Sequence, residues 1–147
     1  MTGSANCGAY GEQTTSVWMH SAPRPGFDPL REDLRADVVV IGAGIAGLSV
    51  AYLLAREGKR VVVLERGEIG CNNTGRTTAH LSNVIDDRYA WIEKVRGRDG
   101  ARLAFESHTA AIEQIAAIVR DEAIDCEFER LDGHLFLAEG EIGRAHV

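Results

Sequence analysis

The sequence has few cysteines and no excess of positive charge, and each shortage argues against a class of site or partner. Its 147 residues include three cysteines and three prolines. The cysteines are widely spaced, form no Cys-x-x-Cys pair and have no histidine at metal-ligand spacing, so no metal site is predicted and the thiols are expected to be reduced. The formal net charge of -6 argues against nucleic acid or an anionic membrane as a partner.

Long apolar runs are also missing. No stretch is apolar over the length that a membrane span needs, and the N-terminus lacks the basic region and apolar core of a secretion signal. We therefore expect a cytoplasmic protein without a membrane span. The composition, 45% hydrophobic and 26% charged, is that of an ordinary globular domain.

Residues 36–65 carry the strongest pattern in the chain. Two apolar runs, 38–41 and 61–64, flank an amphipathic segment that opens with glycines at Gly-x-Gly-x-x-Gly spacing. Gly42 permits a tight turn out of the first strand, Gly44 lets a pyrophosphate approach the backbone, and Gly47 lets the helix lie close to the sheet. The pattern predicts an α/β fold with a Rossmann-like, dinucleotide-binding βαβ unit whose strands are buried on both faces.

An acid closes this unit. Glu65 ends the second apolar run, where a carboxylate accepts hydrogen bonds from an adenosine ribose. An acid at this place disfavours a 2′-phosphate and therefore NADP. Gly58 is placed to end the helix as a C-terminal glycine.

A second polar segment follows directly after the acid. Residues 66–83 are rich in Gly, Thr, Asn and Ser, and residues 74–78 read Thr-Gly-Arg-Thr-Thr. Such a composition is typical of a loop whose amides and hydroxyls contact a polar ligand, and the alternative is a solvated surface loop.

The remaining segments divide the chain further. We expect a disordered leader at 1–15, an extended proline-rich arm at 16–35 with Trp18 as its anchor, the dinucleotide-binding segment at 36–100, and the start of an α+β substrate domain at 101–140. The dinucleotide-binding segment ends with a short helix at 88–95 and a break at 97–100, and the last segment comprises a longer helix at 101–123 and a β-hairpin around Asp132 and Gly133.

The end of the sequence has an unusual composition. Residues 142–147 spell IGRAHV, one reading frame of a common sequencing-library adaptor. We interpret residues 141–147 as an adaptor-derived artefact and expect the natural protein to continue beyond them, so that the fold is incomplete; a genuine C-terminus is the alternative.

Taken together, these motifs resemble a known family. The Ser-Val-Trp-Met run at 16–19, the βαβ unit, TGRTTAHLS and IDCEFERLDGHLFLA resemble the amino-terminal part of FAD-dependent oxidoreductases of the D-amino-acid-oxidase-like (DAO) superfamily. The resemblance is greatest to members with a C-terminal Rieske [2Fe-2S] domain. It implies that FAD is the cofactor and that a Rieske cluster would lie in a region outside this chain.

The resemblance also implies roles for individual residues. The FAD pyrophosphate would lie on the glycine turn, the adenosine ribose on the acid, and the flavin side on the second polar segment. The cofactor-binding residues would be Gly42, Gly44, Ile45, Ala46, Gly47, Glu65, Arg66, Thr74, Gly75, Arg76, Thr77 and Thr78. His80 lies near a position of covalent flavin attachment in some relatives but not in a matching motif, so it is interpreted as a polar neighbour.

The chemistry implied is removal of a hydride from a carbon that bears an amine, followed by hydrolysis of the imine. The substrate would be a small amine or amino acid. No catalytic residue and no electron acceptor is assigned, because the family's substrate contacts come from other parts of the protein. We expect the chain by itself to be inactive. Two alternatives for the whole protein stay open: an NAD-dependent dehydrogenase and a non-catalytic module with a flavin fold.

Overall fold

The computed structural model describes residues 15–21, 25–86 and 88–134. The predicted leader and the adaptor-like segment lie outside these ranges. The chain divides into two compact units, residues 1–80 and residues 81–147. Within the described ranges, no helix has the length and apolar character that a bilayer crossing requires.

The first unit is built on a two-stranded parallel sheet. Strand β1 (Val38–Ile41) pairs with strand β2 (Val61–Leu64), with Val38 opposite Val61 and Ile41 opposite Leu64. Helix α2 (Ile45–Arg56) connects the two strands. Runs of β-branched residues favour the strands, and the crossover helix is what a parallel pair requires. The predicted βαβ order is therefore observed.

Asp37 and Arg60, which directly precede β1 and β2, form a salt bridge that joins the first ends of the two strands. Asp37 Oδ1 lies 2.8 Å from a guanidinium nitrogen of Arg60, and the Arg60 amide donates to Asp37 Oδ2 at 2.8 Å. The side-chain and backbone hydrogen bonds from Arg60 lower the pKa of Asp37. Hydrogen bonding to Asp37 raises the pKa of Arg60 in return. The contact fixes the strand register at the end of the sheet opposite the glycine turn.

Helix α2 ends as the sequence predicts. Gly58 has φ 78° and donates its amide to Ala55 O at 2.9 Å, while the Lys59 amide donates to Leu54 O at 3.1 Å. These two bonds form a Schellman motif, in which a left-handed residue satisfies the last carbonyls of a helix. Glycine adopts that conformation without the steric penalty of a Cβ.

The apolar runs favour strands buried on both faces, but the described residues of this chain cover only one face of β1. Side chains along β1 alternate between half-buried and exposed, and Val39 and Ile41 are 54% and 86% exposed. Helix α2 packs on the face that carries Val40, and in the described residues no second layer covers the other face. A continuous apolar run indicates two covered faces only when both covering layers are present.

The segment before the sheet begins differently from the predicted extended arm. Residues Val17–Ser21 form a single helical turn, α1, and residues 25–37 follow without helix or strand. The Met19 amide donates to Ser16 Oγ at 3.2 Å, so Ser16 caps the turn. The first proline is Pro23, too late to prevent one turn from forming.

The second unit is dominated by two helices within the segment Arg88–Asp121, which is labelled α3, and Gly97 separates them. Gly97 has a φ of 75° and a ψ of 172°, which are not helical, so the predicted break between two helices is observed there, although residues 98–100 are already helical. Tyr89 and Phe105 stack edge to face across the kink with ring centroids 5.6 Å apart. Residues 126–134 contain no strand, and the other arm of the predicted hairpin lies largely outside the described residues.

Candidate functional site

The candidate site lies in the first unit, where β1 turns into α2. Gly42 has φ 99°, a conformation that strongly favours glycine, and its amide donates to Leu64 O at 2.8 Å. Gly44 is the N-cap of α2 and has no side-chain partner as a cap. The turn therefore continues the hydrogen bonding of the sheet for one residue. The first amides of α2 then receive no hydrogen bond acceptor from the side chain of their own N-cap residue.

Gly47 makes the close approach of helix and strand possible. A Cβ built on Gly47 would lie 2.0 Å from Gly42 O and 3.2 Å from Val40 Cγ1. No side chain fits at the first distance, because the neighbouring atom is backbone. The third glycine of the motif is thus required by packing, independently of any ligand.

Amide groups at the start of α2 face outward. The Ile45 amide donates to Thr74 Oγ1 at 2.9 Å, and the amides of Ala46 and Gly47 come too early in the helix to have an acceptor inside it. Ile45 is 59% exposed and Ala46 is exposed. The positive end of the helix dipole adds to these donors, so this turn is suited to an anion.

Glu65 joins the glycine turn to the residues after β2. Its Oε2 accepts the Ala43 amide at 2.7 Å, and its Oε1 accepts the Gly67 amide at 2.8 Å. The hydrogen bond from Ala43, then the one from Gly67, lower the pKa of the Glu65 carboxyl, with a smaller contribution from the charge of Arg66. Glu65 is exposed and each carboxylate oxygen has further acceptor capacity, so the ionised group can also accept hydrogen bonds from a ligand.

The second polar segment contacts the glycine turn through Thr74. A 3₁₀ turn at Thr74–Arg76 places the Thr74 hydroxyl against the Ile45 amide, and a Cβ on Gly44 would come within 3.2 Å of the same oxygen. Gly75 is buried, and a Cβ there would meet Gly70 O at 2.8 Å. The glycine turn and the second polar segment, which are distant in sequence, are therefore in direct contact.

The other predicted residues lie farther along these loops. Arg66 follows Glu65 and acts on it through charge, and Arg76 ends the 3₁₀ turn. The Thr77 hydroxyl accepts a hydrogen bond from the Ala79 amide, and the Thr78 hydroxyl accepts one from the His80 amide. Among the hydrogen bonds described, none joins Thr77 or Thr78 to the glycine turn.

Several contacts of the site are not visible from the sequence pattern. The Ser16 hydroxyl donates to Gly75 O, and Trp18 Nε1 donates to Thr77 O at 2.7 Å. The Gly70 amide donates to Ala43 O at 2.9 Å and ties the two loops together. A capping serine before the Val-Trp-Met run is the one sequence signal that would have indicated α1.

Three further histidine and cysteine residues of the described ranges have defined contacts or oxidation states. His108 Nδ1 lies 2.7 Å from Ala104 O on the exposed surface of α3. Cys126 is a free, exposed thiol. Cys71 is disulfide-bonded, so the prediction of reduced thiols is wrong for that residue.

Comparison with known proteins identifies the family. The profile of the DAO family, described as FAD dependent oxidoreductase, matches residues 37–146. The chain belongs to this family. The match includes the whole glycine turn, the acid and the second polar segment, and the predicted membership is confirmed.

Individual relatives agree with the family match. The chain is 35% identical over 92% of its length to the putative Rieske 2Fe-2S iron-sulfur protein YhfW of Bacillus subtilis, of which it covers 27%. It is 38% identical over 86% of its length to gamma-glutamylputrescine oxidoreductase of Escherichia coli, of which it covers 30%. It is 33% identical over 77% of its length to glycine oxidase of Bacillus licheniformis, of which it covers 28%.

The chain thus spans less than a third of the length of these three relatives. No solved structure matches it significantly. The family assignment favours FAD over NAD as the dinucleotide, which the βαβ unit alone leaves open. The DAO family therefore supplies the cofactor class, and the structure supplies the arrangement of the residues.

Proposed function

We propose that this chain forms the part of a flavoenzyme that binds the ADP half of FAD, and that the whole protein oxidises a small amine or amino acid. The observation that carries the proposal is the joining of three separated segments at the start of α2. Glu65 reaches the glycine turn at 2.7 Å and Thr74 reaches it at 2.9 Å. The family assignment makes FAD the ligand for which this arrangement is suited.

The residues present fit the phosphate part of such a cofactor. The space between Gly44 and Thr74 would be filled by a single Cβ, and a Cβ on Gly42 would meet no atom within 4 Å. The amides of Ala46 and Gly47 come too early in α2 to have an acceptor inside it, and the helix dipole stabilises an anion at such a turn by roughly 0.3–1 kcal/mol when exposed. The glycines thus keep room where a pyrophosphate has to approach the backbone.

We assign the remaining contacts from the family resemblance, and the hydrogen bonds of Glu65 and Thr74 to the start of α2 support two of them. The Glu65 carboxylate would accept hydroxyl groups of the adenosine ribose, and its depressed pKa keeps it ionised for that purpose. The Thr74 hydroxyl accepts the Ile45 amide and retains a proton to donate to a phosphate oxygen. Arg66 would lie beside the adenine half, and Arg76, Thr77 and Thr78 would line the way toward the flavin.

The proposed reaction is dehydrogenation at a carbon that bears an amine. The bound flavin would supply a hydride acceptor, and the protein would supply orientation and electrostatics. The carbon–hydrogen bond breaks with its electron pair, the amine becomes an imine, and water converts the imine into a carbonyl compound and ammonia. Relatives named gamma-glutamylputrescine oxidoreductase and glycine oxidase support this substrate class, because both named substrates contain an amino group.

The test uses the whole protein, meaning the complete product of the gene that encodes this chain. Purified protein is loaded with FAD and mixed without oxygen with a panel of amines and amino acids, and the flavin absorbance and released ammonia are measured. We expect one class of amine to bleach the flavin, while alcohols with the same carbon skeleton leave it oxidised. A flavin that no amine reduces would instead favour a non-catalytic module with a flavin fold.

One relative supports a further component of the whole protein. YhfW is named as a putative Rieske 2Fe-2S protein, so we propose that the whole protein carries such a cluster outside this chain. A Rieske centre would accept electrons one at a time. Quantification of iron and acid-labile sulfide in the whole protein tests this. Protein that contains neither after anaerobic purification and cluster reconstitution would contradict it.

A further inference from the structure

Three residues of the segment before the sheet contact the second polar loop. The Ser16 hydroxyl donates to Gly75 O, Trp18 Nε1 donates to Thr77 O at 2.7 Å, and Met19 is so close to Gly75 that a Cβ there would lie 3.2 Å from Met19 Cγ. Ser16 and Gly75 are 59 residues apart in sequence, as are Trp18 and Thr77. The middle residue of the 3₁₀ turn and the residue that follows the turn are therefore held by one short segment.

The 3₁₀ turn Thr74–Arg76, which this segment contacts, is also hydrogen-bonded to the start of α2. Its Thr74 hydroxyl accepts the Ile45 amide, while the carbonyls of Gly75 and Thr77 are bound by Ser16 and Trp18. A hydroxyl that caps a helix from another loop keeps its position only if that loop is fixed. The turn itself is short, with amide bonds from Arg76 to Asn73 O at 3.2 Å and from Thr77 to Thr74 O at 3.4 Å. Such a turn has little stability of its own.

We propose that Ser16, Trp18 and Met19 form an N-terminal clamp that fixes the Thr74 turn against helix α2, with Ser16 as its main positioning residue. This inference rests on the proposed function, because the turn is taken to be the second cofactor loop. Ser16 has two roles that can be separated. Its oxygen accepts the Met19 amide and caps α1, and its proton is donated to Gly75 O.

The chemistry of Ser16 permits a sharp test in the whole protein. Ser16→Asp keeps an oxygen that caps α1 but cannot donate to Gly75 O, since an ionised carboxylate has no proton. Ser16→Thr keeps both functions. Ser21→Ala is the control, because Ser21 Oγ donates only to Val17 O within the same helical turn, at 2.8 Å. Trp18→Phe keeps the ring and removes the donor to Thr77 O, and Trp91→Phe, at an exposed tryptophan of α3, is its control.

The first measurement is the dissociation constant for FAD. We expect Ser16→Asp and Trp18→Phe each to weaken binding by about three- to tenfold, the effect of one hydrogen bond. Ser16→Thr, Ser21→Ala and Trp91→Phe should bind FAD like the unaltered protein. Equal affinity of Ser16→Asp and the unaltered protein would overturn the clamp, and so would a Ser16→Thr protein as weak as Ser16→Asp.

The second measurement needs no cofactor. Hydrogen exchange of the Arg76 and Thr77 amides, which close the 3₁₀ turn, is followed in the cofactor-free protein. We expect Ser16→Asp to accelerate this exchange and Ser21→Ala to leave it unchanged. If the unaltered protein binds no FAD, the proposed function fails while this exchange still decides the clamp. Unchanged exchange in Ser16→Asp would overturn the clamp even when FAD binds.

Discussion

Replacing Gly47 by alanine provides the sharpest test of how the glycine turn is built. The added Cβ would lie 2.0 Å from Gly42 O, which is 1.4 Å short of the 3.4 Å where ordinary contact begins. The opposing atom is a backbone carbonyl that cannot rotate away, so helix and turn have to separate by about that distance. A movement of this size takes the Ile45 amide, now 2.9 Å from Thr74 Oγ1, out of hydrogen-bonding range.

The magnitude follows from two opposing effects. Overpacking costs about 1–3 kcal/mol, and a clash with backbone belongs at the upper end. The higher helix propensity of alanine than of glycine stabilises the folded protein by at most about 1 kcal/mol. Steric strain wins, and we expect a net loss of roughly 2 kcal/mol in the free energy of unfolding. The shift also displaces the Ala46 and Gly47 amides, so at least one hydrogen bond to a phosphate of FAD would be lost. Loss of one such bond weakens FAD binding by about tenfold.

Urea unfolding and an FAD titration of the whole protein measure the two effects. Gly26→Ala is the matched control, because a Cβ on Gly26 meets no atom within 4 Å and the residue does not have a positive φ. We expect the control to be close to the unaltered protein in both assays. A Gly47→Ala protein with unchanged stability and unchanged FAD affinity would refute the packing argument.

Three further predictions concern the acid, the second loop and the isolated chain. Because hydrogen bonds from Ala43 and Gly67 lower the pKa of Glu65, the ionised carboxylate stabilises the folded protein fully above its ordinary pKa of 4.5, and this stabilisation is lost as the pH falls through the lower pKa of the folded state. In urea unfolding between about pH 3 and pH 7, Glu65→Gln should therefore reduce the loss of stability toward acid pH. An unchanged dependence of stability on pH would contradict this. Thr74→Val should weaken FAD binding by about three- to tenfold while Thr74→Ser retains it, and equal affinities of the two variants would contradict the role of the hydroxyl. Residues 1–147 expressed alone should be insoluble or free of flavin, because Ile41 is 86% exposed on an uncovered sheet face, and a soluble FAD-bound monomer would show this wrong.

The parts of the site that could be predicted from the sequence are those whose cause is local. Gly58 ends α2 through its own left-handed conformation, and Gly47 is required by a contact that any helix crossing this turn would make. The order of strand, helix and strand follows from the spacing of apolar residues. The position of Glu65 follows from the length of that unit, which brings the end of β2 beside the glycine turn.

Features set by distant contacts could not be predicted in this way. Periodicity gives no register between loops, so the bonds from Ser16 to Gly75 O and from Ile45 to Thr74 were not foreseen. The exposure of Ile41 depends on which layers cover the sheet, and an apolar run contains no information on that. The separation of two helices at Gly97 follows from the sequence, whereas the immediate return to helix at residues 98–100 does not.

The central claim is that the turn between β1 and α2 holds the ADP half of FAD. Its most direct test is a calorimetric titration of the whole, cofactor-free protein with FAD, and with NAD⁺ in parallel. We expect stoichiometric binding of FAD, which Gly47→Ala weakens by about tenfold or more, and no comparable binding of NAD⁺. Protein that binds NAD⁺ and not FAD, or that binds FAD equally well with alanine at position 47, would contradict it.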